Sequence, residues 1–547
     1  MNLELLDIVV LVTYSILILF VGLFVSRKKN NSINSSDYFL ASKSLPWWAV
    51  GASLIAANIS AEQFIGMSGS GFAVGLAIAS YEWMAALTLI IVGKYFLPIF
   101  IEKGLYTIPQ FLEKRYNARV KSIIAIFWIA LFIFVNLTAV MFLGATAMDT
   151  IIGNGDGSLI LSSIIILAVF TTAYSVWGGL SSVAWTDVIQ VSILIIGGLI
   201  TTGIALYHVS PDNSLLGGME YIFSKAPEKF DMILEKGHEE YYNLPGIAVL
   251  VGGIWIANIY YWGFNQYIIQ RTFAAKSLKE SQKGIVFAAI LKMIVPLIVI
   301  IPGIIAYVMY TENPDIANEF LDTSGNHKND KAYPWLVSTF VPVGLKGLVL
   351  AALAAAIVSS LASMLNSTAT IFTMDLYKPL IKKDASEKQL VKVGRLTGVV
   401  SLTIAAVLAP ILGGIDQVFQ FIQEYTGLVS PGILAIFILG LFWKKTTARA
   451  AVIGALVSIP IAFYLKFGPQ IWENNILFPN LPFMHQMSIT FLTTCLIMIG
   501  ISLNQNKGGD DVKGIEIKKG FFKTDKTYNV LSYSVIIMLI VLYTIFW

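Results

Sequence analysis

Four polar side chains, Asn58, Ser60, Glu62 and Gln63, fall within six positions of an apolar segment running from about Leu45 to Ile78. Hydrocarbon offers no water to satisfy such groups, so holding them there is costly unless they line a cavity or hold a ligand. The amides of Asn58 and Gln63 both donate and accept, which suits a polyhydroxylated or zwitterionic solute. Gly66, Gly69 and Gly71 follow closely. One such residue alone reads equally as a hydrogen bond between helices. Four together favour an unwound stretch that wraps a solute and an ion.

Other groups add to this chemistry. Glu82, in SYEWM (80–84), offers a carboxylate to two sugar hydroxyls, or is an interfacial acid beside Tyr81 and Trp83. Lys292, flanked by Ile290, Leu291 and Val295, needs a partner or a cavity. It binds solute hydroxyls, pairs with a carboxylate such as Glu82, or snorkels to the nearby membrane face. NIYYWGFNQ (258–266) places Asn258 beside three consecutive aromatics, whose faces suit the C–H face of a sugar ring and whose bulk suits a gate. AALAAAIVSSLASMLNS (351–367) reads first as close helix packing. Its paired hydroxyls Ser359 and Ser360, joined by carbonyls freed at a helix break, would also suit Na+. Asp187, in AWTDVIQ, either attracts cations to a pathway or caps a helix end. QEYTG (423–427) adds Gln423 and Glu424 beside Phe419 and Tyr425.

The elements that must position these groups are membrane spans. With 56% hydrophobic and 13% charged residues and a mean hydropathy of +0.74, the chain is a polytopic membrane protein. Its single cysteine, Cys495, and four histidines without metal-like spacing exclude a disulfide framework and argue against a metalloenzyme. No nucleophile–His–acid grouping or phosphate loop supports an enzyme. Apolar runs of roughly 20 residues predict fourteen helices: 6–26, 46–72, 75–100, 122–146, 158–177, 181–207, 246–266, 285–309, 343–374, 396–413, 416–443, 450–466, 486–503 and 529–547. With the N-terminus outside, most of the 37 Lys and Arg fall in cytoplasmic loops, among them 103–121 and 271–283. The outside loops hold only Lys225, Lys229, Lys236, Lys328, Lys331 and Lys466. This bias is the positive-inside pattern, and the even count puts both termini outside. Two interrupted spans, 46–72 and 246–266, each begin a block of five helices, which points to an inverted repeat with its site at the midplane. The predicted divisions are therefore 1–45, a first repeat 46–207, an outside loop 208–245, a second repeat 246–443 and three further spans in 444–547.

Together these motifs resemble the sodium/solute symporter family, closest to its bacterial sodium/galactose (sodium/glucose-type) members. GGLSSVAWTDVIQ (178–190) looks like the family signature, and AANISAEQFIGMSGSG, YYWGFNQYIIQR and SSLASMLNSTATIFTMD extend the likeness over essentially the whole chain. The resemblance implies an all-α, fourteen-helix protein of the bacterial inner membrane with a leucine-transporter-like five-plus-five inverted-repeat core. It implies Na+ held by the carbonyls of Ala56, Ile59 and Ala356 and the hydroxyls of Ser359 and Ser360. It places a sugar against Asn58, Gln63, Glu82, Asn258, Lys292 and Gln423. Tyr261 would stack beneath the sugar as an inner gate, supported by Tyr260 and Trp262. Met67, Tyr81 and Phe419 would form the outer lid, and Asp187 would lie on the sodium exit route. The galactose-transporting members carry serine where this chain has Ala85, which leaves the preferred hexose open.

The expected function is Na+-coupled symport of a hexose such as galactose or glucose across the lipid bilayer. One rival keeps the symporter and changes the solute to an inositol, sialic acid or an amino-acid-like compound. Another is a membrane sensor that binds sugar without moving it. The C-terminal cytoplasmic loop, about 504–528, is too short for a signalling domain. Glu62 has no assigned role beyond a polar contact near the break.

Overall fold

The computed structural model describes residues 3–27, 43–104, 107–153, 155–321, 325, 327–472, 479–517 and 519–547, with the helical backbone alone at 19, 22–27 and 174–182. The described residues are helical, with only two isolated bridges, Leu45 to Ala275 and Leu321 to His327. In hydrocarbon a helix satisfies its own backbone, and the apolar runs leave few alternatives. Among the described residues nine helices are long and apolar enough to cross a membrane, and the pair Val418–Gly427 and Ser430–Phe442, bent by 49°, makes a tenth. Pieces of the broken spans are too short to count alone.

Both interrupted spans are broken. Trp47–Asn58 ends where Ile59 turns extended (φ −75°, ψ 105°), and the chain resumes as a π-helical turn, Glu62–Met67, and a helix, Ser68–Val74. The second runs Gly253–Ile259, a π-helical turn Tyr260–Phe264, an extended Asn265 (φ −74°, ψ 121°), then Gln266–Phe273. It therefore continues past the expected limit of 266. Arg271, assigned by sequence to a cytoplasmic loop, is buried. Loop 103–121 likewise contains a short helix, Ile108–Arg115, capped by Thr107.

The expected spans 158–177 and 181–207 form one helical run, Ile160–Val209. A straight helix of 50 residues would be about 75 Å long, more than twice the hydrocarbon core. This run doubles back. Lys331 donates to Gly155 O at 2.9 Å, just before its start, while His208 at its far end stacks on Phe340 (5.7 Å). Lys331 caps the start and Phe340 ends one short helix, Ala332–Phe340.

The C-terminal half of the first broken span is clamped in place. Gly75 (φ +86°) turns the chain where a Cβ would strike Lys229 O at 2.3 Å, and Gly303 lets Leu278–Glu312 approach so closely that a Cβ would lie 2.1 Å from Ser68 O. Both chain ends lie on one face. Asp7, near the start of Leu5–Arg27, accepts from the N–H groups of Gly344 (2.7 Å) and Gly347 (2.8 Å) at the head of Leu345–Ile371. Phe546 O accepts from Met232 N–H at 2.8 Å. Loops 208–245 and 310–342 share that face through Lys225 and Glu312, 2.9 Å apart.

Candidate functional site

The first break redirects specific backbone bonds. In an unbroken helix Ser60 N–H would bond Ala56 O; here it donates to Gln63 Oε1 at 3.1 Å. Gln63 N–H, due to Ile59 O, donates to Ser60 O at 3.2 Å instead. The carbonyls of Ala56 and Ile59 thus lose their helical donors, while the Gln63 amide nitrogen remains for a ligand. Glu62 N–H closes the turn on Ser60 Oγ at 3.1 Å. This short stretch answers much of the burial problem internally, because the diverted N–H groups of Ser60, Glu62 and Gln63 each find an oxygen nearby.

Beside the break lies a small cavity of about 50 Å³, room for a few waters and tighter than the usual small-molecule site. Asn58, Gln63, Glu82, Asn258, Lys292, Gln423 and Tyr261 all line it. Lys292 is fully buried and donates to both Asn58 Oδ1 and Glu82 Oε2, with its Nζ 5.0 Å from the Trp262 ring centre. Snorkelling is thereby excluded, and Glu82 is buried rather than interfacial. A carboxylate, an amide oxygen and an aromatic face together hold the ammonium, as a charge at membrane depth requires. Asn58 Nδ2 donates to Tyr261 Oη (3.0 Å), and Tyr267 Oη donates to the same oxygen (2.6 Å). One network therefore runs from Glu82 through Lys292, Asn58 and Tyr261 to Tyr267, across both broken spans.

The expected gate residues border the same cavity. Tyr81 meets Phe419 edge-on, with ring centres 5.3 Å apart, and Met67 and Phe419 are both buried. Asn258 reaches Tyr81 O at 3.4 Å. Tyr260 and Trp262 are buried at the wall, and Tyr261 packs edge-on against Trp262 at 5.2 Å.

The five expected sodium ligands lie outside this lining, on facing helices. All five are buried. Ser360 Oγ donates to Ala57 O at 3.2 Å, which seats Leu345–Ile371 against the end of Trp47–Asn58. Hydroxyl and freed carbonyl oxygens are the donor set a hard cation takes. The Asp187 carboxylate bonds side chains of other helices rather than the backbone of its own. It accepts from Ser53 Oγ at 2.5 Å and from Ser359 Oγ, and lies 3.6 Å from Arg271 Nη2. Arg271 also donates through Nε to Ser53 O (3.1 Å) and Ser53 Oγ (2.9 Å), and through Nη2 to Ser363 Oγ.

Further lining residues escaped the sequence reading as contacts: Glu62, Asn136, Asn265, Thr426, Ser430 and Met487. Glu62 Oε1 and Asn265 Oδ1 are buried without hydrogen-bond partners. Asn136 sits in a π-helical turn, Phe132–Leu137, within a long apolar helix. A lone amide in such a run was the available signal, and π turns often mark functional positions. Ala85 lines the cavity too, so its missing hydroxyl bears directly on the solute.

Comparison with known proteins identifies the family. The model of the Sodium:solute symporter family matches residues 38–458. The sodium/glucose cotransporter of Vibrio parahaemolyticus is 58% identical, over 100% of this chain and 99% of that protein. Human sodium/myo-inositol cotransporter is 34% identical over 82% of this chain and 65% of its own length. Rabbit (Oryctolagus cuniculus) sodium/glucose cotransporter 1 is 33% identical over 83% of this chain and 71% of its own length. A solved Na+-coupled sialic acid symporter, in a substrate-bound outward-open state, shares the fold with a TM-score of 0.77 and 24% identity, over 91% of this chain and 98% of that one. With the family model covering most of its length and one relative matched end to end, the chain belongs to the sodium:solute symporter family.

Proposed function

We propose that the protein couples inward Na+ movement to uptake of a hexose such as galactose or glucose by alternating access. The observation that carries this reading is the double use of one helix break. Asn58 and Gln63 turn amides into the cavity, while Ala56 and Ile59, beside them, have carbonyls released from the helix on either side of Ala57, whose carbonyl accepts from Ser360. Sodium bound by Ala56, Ile59, Ala356, Ser359 and Ser360 orders the break. Sugar then bonds Asn58, Gln63, Glu82, Asn258, Lys292 and Gln423 and stacks on Tyr261. Met67, Tyr81 and Phe419 close above it. Sodium departs past Asp187, Tyr261 swings away with Tyr260 and Trp262, and the sugar follows. A ~tenfold Na+ gradient with ~100 mV supplies about 3.7 kcal/mol per ion, enough for accumulation of several hundredfold.

The membrane arrangement belongs to the same proposal. Fourteen spans, with repeats at 46–207 and 246–443 and both termini outside the bacterial inner membrane, are supported by the doubling back of Ile160–Val209. The shared face of the two chain ends supports them as well. A polyol such as inositol is the second reading: Ala85 withdraws one hydroxyl contact from the wall, and the donors and acceptors present recognise hydroxyls on any ring. The test is uptake of labelled sugar into proteoliposomes, with unlabelled galactose, glucose and inositol as competitors. Uptake is expected with inward Na+, with competition strongest for a hexose. Equal uptake in choline refutes coupling, and dominant competition by inositol replaces the hexose.

A further inference from the structure

We propose that sodium leaves along one face of the helix Leu345–Ile371, starting at Ser359 and ending on Asp375, which receives the ion at the cytoplasmic end. The proposal rests on the sodium site argued above and extends its exit route past Asp187.

Ser359, Ser363, Asn366 and Thr370 recur at steps of four and three residues, which places their Cα–Cβ bonds on one face of this helix, and Thr373 and Asp375 follow in the π-helical segment Phe372–Ile381 that continues it. The stretch from Ser359 to Asp375 covers roughly 24 Å, enough to run from the bilayer midplane past the edge of its hydrocarbon core, about 15 Å away. All these residues are buried, and all offer oxygen. Small hydroxyl residues alone would be explained by close packing. Three unpartnered groups point further. Asn366 Oδ1, Thr373 Oγ1 and both carboxylate oxygens of Asp375 lack hydrogen-bond partners, and Thr373 and Asp375 are fully buried. A buried carboxylate without a partner is destabilising unless it takes up a proton or a cation comes to it. Lys121, the cation whose charge Asp375 feels, is already held by Glu113 at 2.6 Å.

The surroundings give the path continuity. Ser367 Oγ donates to Gln270 Oε1 (3.2 Å), Gln266 Nε2 donates to the same oxygen (3.2 Å), and Ile108 N–H donates to Gln266 Oε1 (2.8 Å). Thr107, the residue before Ile108, lies beside Asp375. Polar groups thus accompany the face from the second broken span down to Asp375. An ion that leaves Ser359 passes Ser363, whose hydroxyl it shares with Arg271 Nη2, then the Asn366 carbonyl, Thr370 and Thr373.

The test compares two fluxes in proteoliposomes for Asp375→Asn. Net uptake into Na+-free vesicles requires sodium release; sugar exchange at equal Na+ on both sides does not. Net uptake should fall about tenfold, the effect of one lost charge interaction in polar surroundings, while exchange and sugar affinity stay near normal. Asp375→Glu should restore net uptake. Asn366→Leu, which leaves the carboxylate in place, should give the same split and serves if Asp375→Asn does not fold. Unchanged net uptake in both variants, or equal loss of net uptake and exchange, overturns the route. Ser360→Ala separates the two claims: a shifted Na+ dependence there with no effect at Asp375 and Asn366 rejects the route alone, and no shift there rejects the sodium site beneath it.

Discussion

Replacing Lys292 with alanine should separate sugar recognition from fold stability. Its ammonium is buried, bonded to Glu82 and Asn58 and seated over Trp262. Removal strands the Glu82 carboxylate, whose side chain is only 4% exposed. Breaking a buried pair by deleting one partner destabilises by about 3–5 kcal/mol. The sugar meanwhile loses a hydrogen bond from a charged donor, about 1.5–3 kcal/mol or roughly 10- to 150-fold in affinity. Lys292→Ala should therefore melt earlier and bind sugar weakly. Adding Glu82→Gln to Lys292→Ala neutralises the stranded charge, so the double variant should regain most of the thermal stability but none of the affinity. Thermal melting in detergent and isothermal titration with sugar read the two effects. If Lys292→Ala binds sugar within about twofold of the parent protein, or the double variant recovers affinity, then the lysine acts only as a structural partner of Glu82.

Three other outcomes follow from the geometry. Tyr261→Phe removes the hydroxyl shared by Asn58 and Tyr267; at about 0.5–1.5 kcal/mol per bond, sugar release into Na+-free medium should quicken by roughly 2- to 13-fold, measured as efflux from loaded vesicles. Ser360→Ala should raise the Na+ concentration for half-maximal uptake several-fold, about 1 kcal/mol for a lost hydroxyl ligand, without changing expression level. In the outer loop, Asp330 Oδ2 accepts from Val418 N–H at 3.0 Å, while Asn329 bonds Asp416 at 2.9 and 2.8 Å, which ties the loop to the helix carrying the Phe419 lid. Burial, with Asp416 nearby, holds the Asp330 carboxyl well above the ordinary range despite the Val418 bond and Lys328. Its contribution to outer closure is full below the ordinary carboxylate range and is lost as pH rises through the raised value. Acidifying the outside should protect a cysteine placed at Phe419 from external reagent, and Asp330→Asn should flatten that response.

Much of this site was legible because membrane depth makes polar residues conspicuous. Asn58, Gln63, Glu82 and Lys292 each stood out against an apolar run, and the structure gathers them in one cavity. Partners distant in sequence were not legible. Arg271 read as a loop cation because basic residues mark cytoplasmic ends. It is buried because Asp187, Ser53 and Ser363 satisfy it from three other segments. Local pattern carries no trace of such a cluster. Glu62 remained without a role for the same reason: its position at the cavity wall follows from how the two broken spans meet. The Ile160–Val209 run shows the reverse case. Loop charge and span length called for a reversal there, and the reversal is visible only through the neighbours of its two ends.

Coupling in this account comes from one break that serves both ligands, so the decisive measurement is reciprocal binding on the purified protein. Sugar affinity should rise when choline is replaced by Na+, and Na+ affinity should rise by the same factor when sugar is added, as linkage requires. Ser360→Ala should shift both effects to several-fold higher Na+ together. Sugar affinity that is identical in Na+ and choline would contradict the account, because ordering Ala56 to Gln63 around sodium would then do nothing for the sugar.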